Sequence, residues 1–158
     1  MTHFKLRKSH IIIAIILLAT AAGYYYVRST PNYASAVSND IRSVADFTIY
    51  MPTRLPEGFT LKKDSIAYRQ NVLFVQMVKG DQTIFMSQQE KPNSMPPISS
   101  LKGFSELPVK IGYAVTGEQE GTSAVIINTD DSIITITGGE TVSRAELGLV
   151  AKRLKAVR

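Results

Sequence analysis

Carboxylates come first among the residues that could do chemistry. Asp130 and Asp131, with Asn128 and Ser132 close by, offer oxygen ligands of the kind a hard cation such as Ca²⁺ accepts. A calcium loop also needs ligands at fixed alternate positions and a closing bidentate glutamate. Neither is in place, so a solvated turn is the preferred reading. Glu118 and Glu120 lie in the glycine-bounded run Gly117–Gly121, where a carboxylate pair could exchange protons, but no pocket signature surrounds them. Ser99 and Lys102 match the bare S-x-x-K spacing of a nucleophile and its base. Pro97 and Gly103 make that stretch a loop rather than the helix that would aim both groups together. Lys62, Lys63 and Arg69, beside Tyr68, form a basic and aromatic group that suits an acidic glycan or a phospholipid head group, a solvated strand face being the plainer reading.

Elimination narrows the field further. The chain of 158 residues has no cysteine, which removes disulfides, thiolate chemistry and a lipoprotein signal. Both histidines, His3 and His10, stand at the N-terminus, so Ser-His-Asp catalysis and imidazole-bound zinc are excluded from everything that follows. No catalytic, cofactor-binding or metal-binding residue is assigned, and enzyme hypotheses contract to carboxylate or Lys/Ser chemistry. The net charge of +5 does not indicate nucleic acid. Four of the 18 basic residues, Lys5, Arg7, Lys8 and Arg28, flank the N-terminal apolar run, leaving 14 against 13 acidic ones and no broad basic footprint.

That apolar run is the strongest local signal. Ile11, Ile12, Ile13, Ile15, Ile16, Leu17 and Leu18 form its heart, and Tyr24, Tyr25 and Tyr26 fall where an interfacial aromatic belt would sit. The stretch Ile11–Val27 would reach about 25 Å as a helix, the short end of what a hydrocarbon core of about 30 Å requires. Lys5, Arg7 and Lys8 before the run predict an N-in, C-out orientation. The expected organisation is a cytoplasmic basic tail (1–10), a transmembrane signal-anchor helix (11–27), a linker with a short helix (28–46) and an extracytoplasmic domain (47–158). A cleaved signal is the competing reading, with A-x-A sites at Ala19-Thr20-Ala21 and Ala34-Ser35-Ala36.

The elements that would position these residues are mostly strands. In the linker, Val37, Ile41 and Val44 recur at helical spacing. Phe47–Met51 is a β-like run that leads into Pro52 and Pro56. Strands are expected over Leu61–Tyr68, over Asn71–Val78 as a central strand covered on both faces, and over Gln82–Gln89 with Ile84 and Met86 on one face. Lys91–Pro97 is the longest irregular stretch. Further strands are expected over Val109–Thr116, Thr122–Asn128 and Ser132–Thr137, with turns at Gly117–Gly121 and Thr129–Asp131. Ser143 and Glu146 make a capping box, after which Leu147, Val150, Ala151 and Leu154 form one helical stripe. The expected fold is α+β: the transmembrane helix, then a curved antiparallel β-sheet of about six strands with the C-terminal helix packed on one face.

Three segments together resemble a known family. The entry Pro52-Thr53-Arg54-Leu55-Pro56-Glu57-Gly58-Phe59, the strand Gln82–Gln89 ending in glutamine, and the closing helix Ser143–Leu154 are similar to the bacterial extracytoplasmic domain-of-unknown-function family numbered four-three-six-seven. The resemblance covers Phe47–Val157. It implies an anchored, non-enzymatic domain of the anti-sigma-factor-ectodomain or lipoprotein-sorting type, without catalytic residues. A tryptophan common in that family after the turn at Gly121 is missing here, since Ser123–Ile127 contains no aromatic residue.

The functional expectation is a membrane-anchored extracytoplasmic binding or sensory module at the cytoplasmic membrane, meeting an envelope protein or a lipid and no nucleic acid. Phe74, Met77, Phe85, Met86 and Met95 are the candidate partner surface, because phenylalanine and methionine make adaptable binding surfaces as well as cores. The alternatives are a cell-envelope enzyme using carboxylate chemistry and a secreted lipid or peptide carrier.

Overall fold

Apolar residues recur at every second position through Leu73, Val75 and Met77, through Ile84 and Met86, through Val125 and Ile127, and through Ile134 and Ile136. All of these side chains are at most 1% exposed. A period of two puts them on one face of a sheet. The structure, a computed structural model, describes residues 32–92 and 101–157. Its strands are β1 (Tyr50–Pro52), β2 (Thr60–Arg69), β3 (Val72–Lys79), β4 (Gln82–Glu90), β5 (Lys102–Leu107), β6 (Tyr113–Gln119), β7 (Thr122–Asn128), β8 (Ser132–Gly138) and β9 (Leu154–Ala156). Seven pair antiparallel in the order β2-β3-β4-β8-β7-β6-β5, while β1 and β9 form a separate two-stranded ribbon. The β2–β3 hairpin turns through Gln70 and Asn71, both at positive φ, a mirror-type turn that matches the twist of its strands.

The buried face carries the core. It is covered by the 3₁₀ turn Tyr33–Ala36, by α1 (Asn39–Val44), by the β1–β9 ribbon and by α2 (Arg144–Lys152). Val37 is buried and Tyr33 and Ile41 pack against the core, so much of the expected linker belongs to the domain. Val44, by contrast, is exposed. Helix α2 has only nine residues, below the ~12–15 at which isolated helices become stable, so burial of Leu147, Val150 and Ala151 must hold it. Its capping box is present as expected. Glu146 accepts from the Ser143 amide at 2.9 Å and hydroxyl at 2.7 Å, and the Ser143 hydroxyl accepts from the Glu146 amide at 3.2 Å. Gly138 admits the close approach of the segment leading into this helix, because a Cβ there would lie 2.6 Å from the Cβ of Val142.

One polar side chain joins the ribbon to the sheet. Gln88 lies on the core face of β4 and is fully buried. Its Oε1 accepts from the Tyr50 amide at 2.8 Å, and its Nε2 donates to the Tyr50 carbonyl at 2.6 Å. The carboxamide thus does for β1 what a neighbouring strand's peptide group would do.

Three expectations are corrected. Strands hold 51% of the described residues and helices 16%, so the domain is mostly β with a seven-stranded sheet, rather than α+β with about six strands. The extra strand is β5, and the strand expected over Val109–Thr116 begins only at Tyr113. The C-terminal helix is also shorter than its stripe. It ends at Lys152, and Leu154–Ala156 pairs with Pro52–Tyr50, where free backbone groups of β1 compete with another helical turn. Leu154 is buried in either arrangement, which is why a 3.6-residue period could not reveal the change.

The membrane reading is corrected as well. Among the described residues no helix is long and apolar enough to cross a membrane. The run Ile11–Val27, its tyrosines and the flanking Lys5, Arg7 and Lys8 all lie outside the described residues. A single-pass signal anchor at the cytoplasmic membrane thus rested only on a hydropathy run at the short end of a bilayer span, and it is not carried further.

Substitution Gln88→Leu keeps an apolar body of similar size but leaves the Tyr50 amide and carbonyl without their partners. It is expected to lower unfolding free energy in urea by about 2–4 kcal/mol. A loss within experimental error would show that the ribbon does not depend on this side chain.

Candidate functional site

The face of the sheet opposite the core is divided. On β5–β8, Val115 and Ala124 are buried beneath Leu101, with Ile126 packed alongside. Gly117 lets that segment cross β6, since a Cβ there would meet Lys102 O at 3.0 Å and Leu101 Cβ at 3.1 Å. On β3 and β4 the same face carries Phe74, 45% exposed, and Phe85, 46% exposed. Register places Phe74 opposite Ser87 and Phe85 opposite Gln76. The two rings are therefore diagonal neighbours on adjacent strands, a placement that brings Cα atoms within about 7–8 Å.

Between and beside them lies a concavity of about 280 Å³ lined by Phe74, Gln76, Phe85, Ser87, Thr135 and Thr137, with Val75 and Met86 beneath. The register fixes this composition. Phe85 stands opposite Thr137, and Ser87 opposite Thr135, on β8. The lining combines two ring surfaces, three hydroxyls and one carboxamide, and it holds no charge.

The candidate partner surface therefore separates into parts. Phe74 and Phe85 come together on the open face. Met77 and Met86 point into the core, at most 1% exposed, and offer nothing to a partner. Met95 lies outside the described residues. β3 was expected to be covered on both faces, and Phe74 shows that it is covered on one only. The basic and aromatic group also rearranges. Tyr68 faces the core side and packs on Phe47 with ring centroids 6.3 Å apart, whereas Lys62 and Arg69 stand in register with Gln76 and Val72 on the open face.

The carboxylates have structural roles. Asp131 Oδ2 accepts from the Thr48 amide and hydroxyl, each at 2.7 Å, and Oδ1 accepts from the Thr129 hydroxyl at 3.3 Å. Burial pushes its carboxyl upward, but the Thr48 and Thr129 bonds outweigh that and hold it below the ordinary aspartate value. The Ser143 amide and hydroxyl lower Glu146 in the same way. Glu118 pairs with Arg144 at 3.6 Å, both largely solvated. Among the described residues no group of three or more His, Cys, Asp or Glu side chains could hold a metal ion. Ser99 lies outside the described residues, and Lys102 is in β5.

No protein-family model matches the chain, and no curated protein matches it. The likeness to the extracytoplasmic family thus rests on its three segments alone.

Gln88 was not singled out from the sequence, although one signal was available. Gln88 continues the Ile84, Met86 alternation, so a polar residue occupies a core position and must find partners there.

Asp131 and Glu146 have depressed pKa values in the folded state, so each contributes stability that is present above its unfolded pKa and lost as pH falls through the folded one. Stability is expected to decline as pH drops below about 4–5, the range in which free carboxyls take up protons. In acid titration monitored by fluorescence or circular dichroism, Asp131→Asn should flatten that decline. An unchanged profile would show that the Thr48 bonds do not stabilise the carboxylate.

Proposed function

We propose that this domain is a non-catalytic binding module whose ligand site is the open face of β3, β4 and β8. The observation that carries the reading is the exposed pair Phe74 and Phe85 over a concavity, on strands whose alternate residues are fully buried. Strand alternation permits polar residues at those two positions without any change to the core. Half-exposed rings side by side lose the favourable burial that large aromatic side chains otherwise gain, and contiguous exposed apolar surface of this kind marks interaction sites. The polar groups of the lining supply orientation, as ligand pockets require. The likeness to a non-enzymatic domain family is in keeping with this role.

The two carboxylates with displaced pKa values, Asp131 and Glu146, are lowered rather than raised, and each accepts bonds that hold a backbone segment. A general acid in a cleft has the opposite displacement. This favours binding over carboxylate catalysis.

The double variant Phe74→Ala/Phe85→Ala should leave the urea midpoint close to that of the parent, because both rings are half exposed. Screened as the full-length chain against immobilised glycans, peptides and lipid vesicles, the parent should bind at least one class, and the variant should lose that binding by about tenfold or more. Identical behaviour of parent and variant across the screen would remove this face as the site.

A further inference from the structure

The charges around the groove narrow what it takes. Successive rows across the open face read Lys62, Gln76, Phe85, Thr137; then Ala67, Phe74, Ser87, Thr135; then Arg69, Val72, Gln89, Ile133. Lys62 and Arg69 both stand on edge strand β2, one row to either side of Phe74. Their partners Gln76 and Val72 are four positions apart on β3, which sets the two backbone positions about 14 Å apart along the strand direction. Both side chains are exposed. No ion pair involves Lys62 or Arg69 among the described residues. On β3, β4 and β8 no carboxylate stands in register on this face, while on β2 the exposed Asp64 lies in the bulge two residues from Lys62. The groove is therefore bordered by a cation toward each end, with Asp64 near Lys62 and no carboxylate in register beside Arg69.

The lining limits the ligand from the other side. β3, β4 and β8 are interior strands, so their backbone amides and carbonyls are committed to the ladders on both sides. A peptide cannot be recognised there by strand addition, the mode that relies on free main-chain groups. Recognition falls to the side chains: two ring faces, the hydroxyls of Ser87, Thr135 and Thr137, which both donate and accept, and the Gln76 carboxamide, which does the same. A sugar ring has the matching character, with an apolar C–H face for a phenyl ring and a rim of hydroxyls for the polar groups.

We infer that the groove binds a carboxylated glycan chain, with sugar rings against Phe74 and Phe85 and successive carboxylates reaching Lys62 and Arg69. Arg69 can take a carboxylate through two parallel hydrogen bonds, and Lys62 acts as a point charge. The inference rests on the open face being the binding site and adds the class of ligand.

Calorimetric titration of the purified full-length chain tests it. The probes are hexuronic-acid oligomers of galacto, gluco and manno configuration, their methyl esters, poly-L-glutamate, and phosphatidylglycerol vesicles. Binding of at least one free-acid oligomer is expected, weakened about tenfold or more by esterification and also by Lys62→Gln/Arg69→Gln, with marked loss as salt is raised. Phe74→Ala/Phe85→Ala should abolish the same binding. Equal affinity for acid and ester would overturn the role of the two cations. Binding of poly-L-glutamate or vesicles but no oligomer, still lost in the phenylalanine variant, would overturn the glycan and leave the site in place. Oligomer binding unaffected by the phenylalanine variant would overturn both.

Discussion

A two-stranded ribbon of three-residue strands has no independent stability in water, yet here β1 and β9 close a large part of the core. The fully buried carboxamide of Gln88 makes this possible by accepting from and donating to Tyr50 as a strand would. Around it the apolar side chains Phe47, Ile49, Met51 and Leu154 supply the driving force. That force is not directional. The hydrogen bonds set the register: Thr48 on Asp131, Tyr50 on Gln88, the Thr53 amide on the Arg153 carbonyl at 2.9 Å, and the Val157 amide on the Ile49 carbonyl at 2.8 Å. Each partner satisfies a backbone group of the ribbon or its flanks.

This arrangement commits one face of the sheet to the core and leaves the other to be resolved strand by strand. On β5–β8 the problem is met in part by Leu101 over Val115 and Ala124, although Phe104 and Tyr113 there stay exposed. On β3 and β4 it is not, and Phe74 and Phe85 remain half in water. The asymmetry is local. Thr135 and Thr137 on β8 face the groove, while Ile133, two residues earlier on the same face, is 4% exposed. Hydroxyl-bearing residues border the rings where the surface opens, and aliphatic ones occupy the part that closes. A sheet face that was merely solvated would be polar throughout, and one that was merely core would be covered.

How much of this was legible in the sequence follows from which residues carry periodic information. The alternation in Leu61–Tyr68, Asn71–Val78, Gln82–Gln89, Thr122–Asn128 and Ser132–Thr137 placed five strands within a few residues of their bounds, and Ser143 with Glu146 placed the start of α2. β5 escaped because Lys102–Glu106 is exposed throughout and interrupted by a bulge at Gly103, so no buried face repeats along it. The end of α2 escaped because Leu154 fits a helical stripe and a strand equally well. The site was half legible. Phe74 and Phe85 were named, but alternation within one strand does not say which face a neighbour covers, and this assigned Met77 and Met86 to the surface that they in fact oppose. Asp131 was seen as a possible ligand, although its partner Thr48 lies 83 residues away in sequence, beyond any local pattern.

The edge strand beside the site bears on how many molecules can share it. β2 has one side free, and a free edge invites another chain to pair with it. Two features of the strand oppose this. Its register breaks between Lys62 and Ala67, where the Ser65 hydroxyl accepts from the Gln76 amide at 3.0 Å and donates back to the Lys62 carbonyl. The Lys62-Lys63 pair sits at the same break. A bulged, lysine-bearing edge discourages pairing between copies, and the cation that guards it also faces the groove. The same side chain thus keeps strands away by charge and geometry and is placed to meet the anionic ligand proposed for the groove, which would approach the sheet from above.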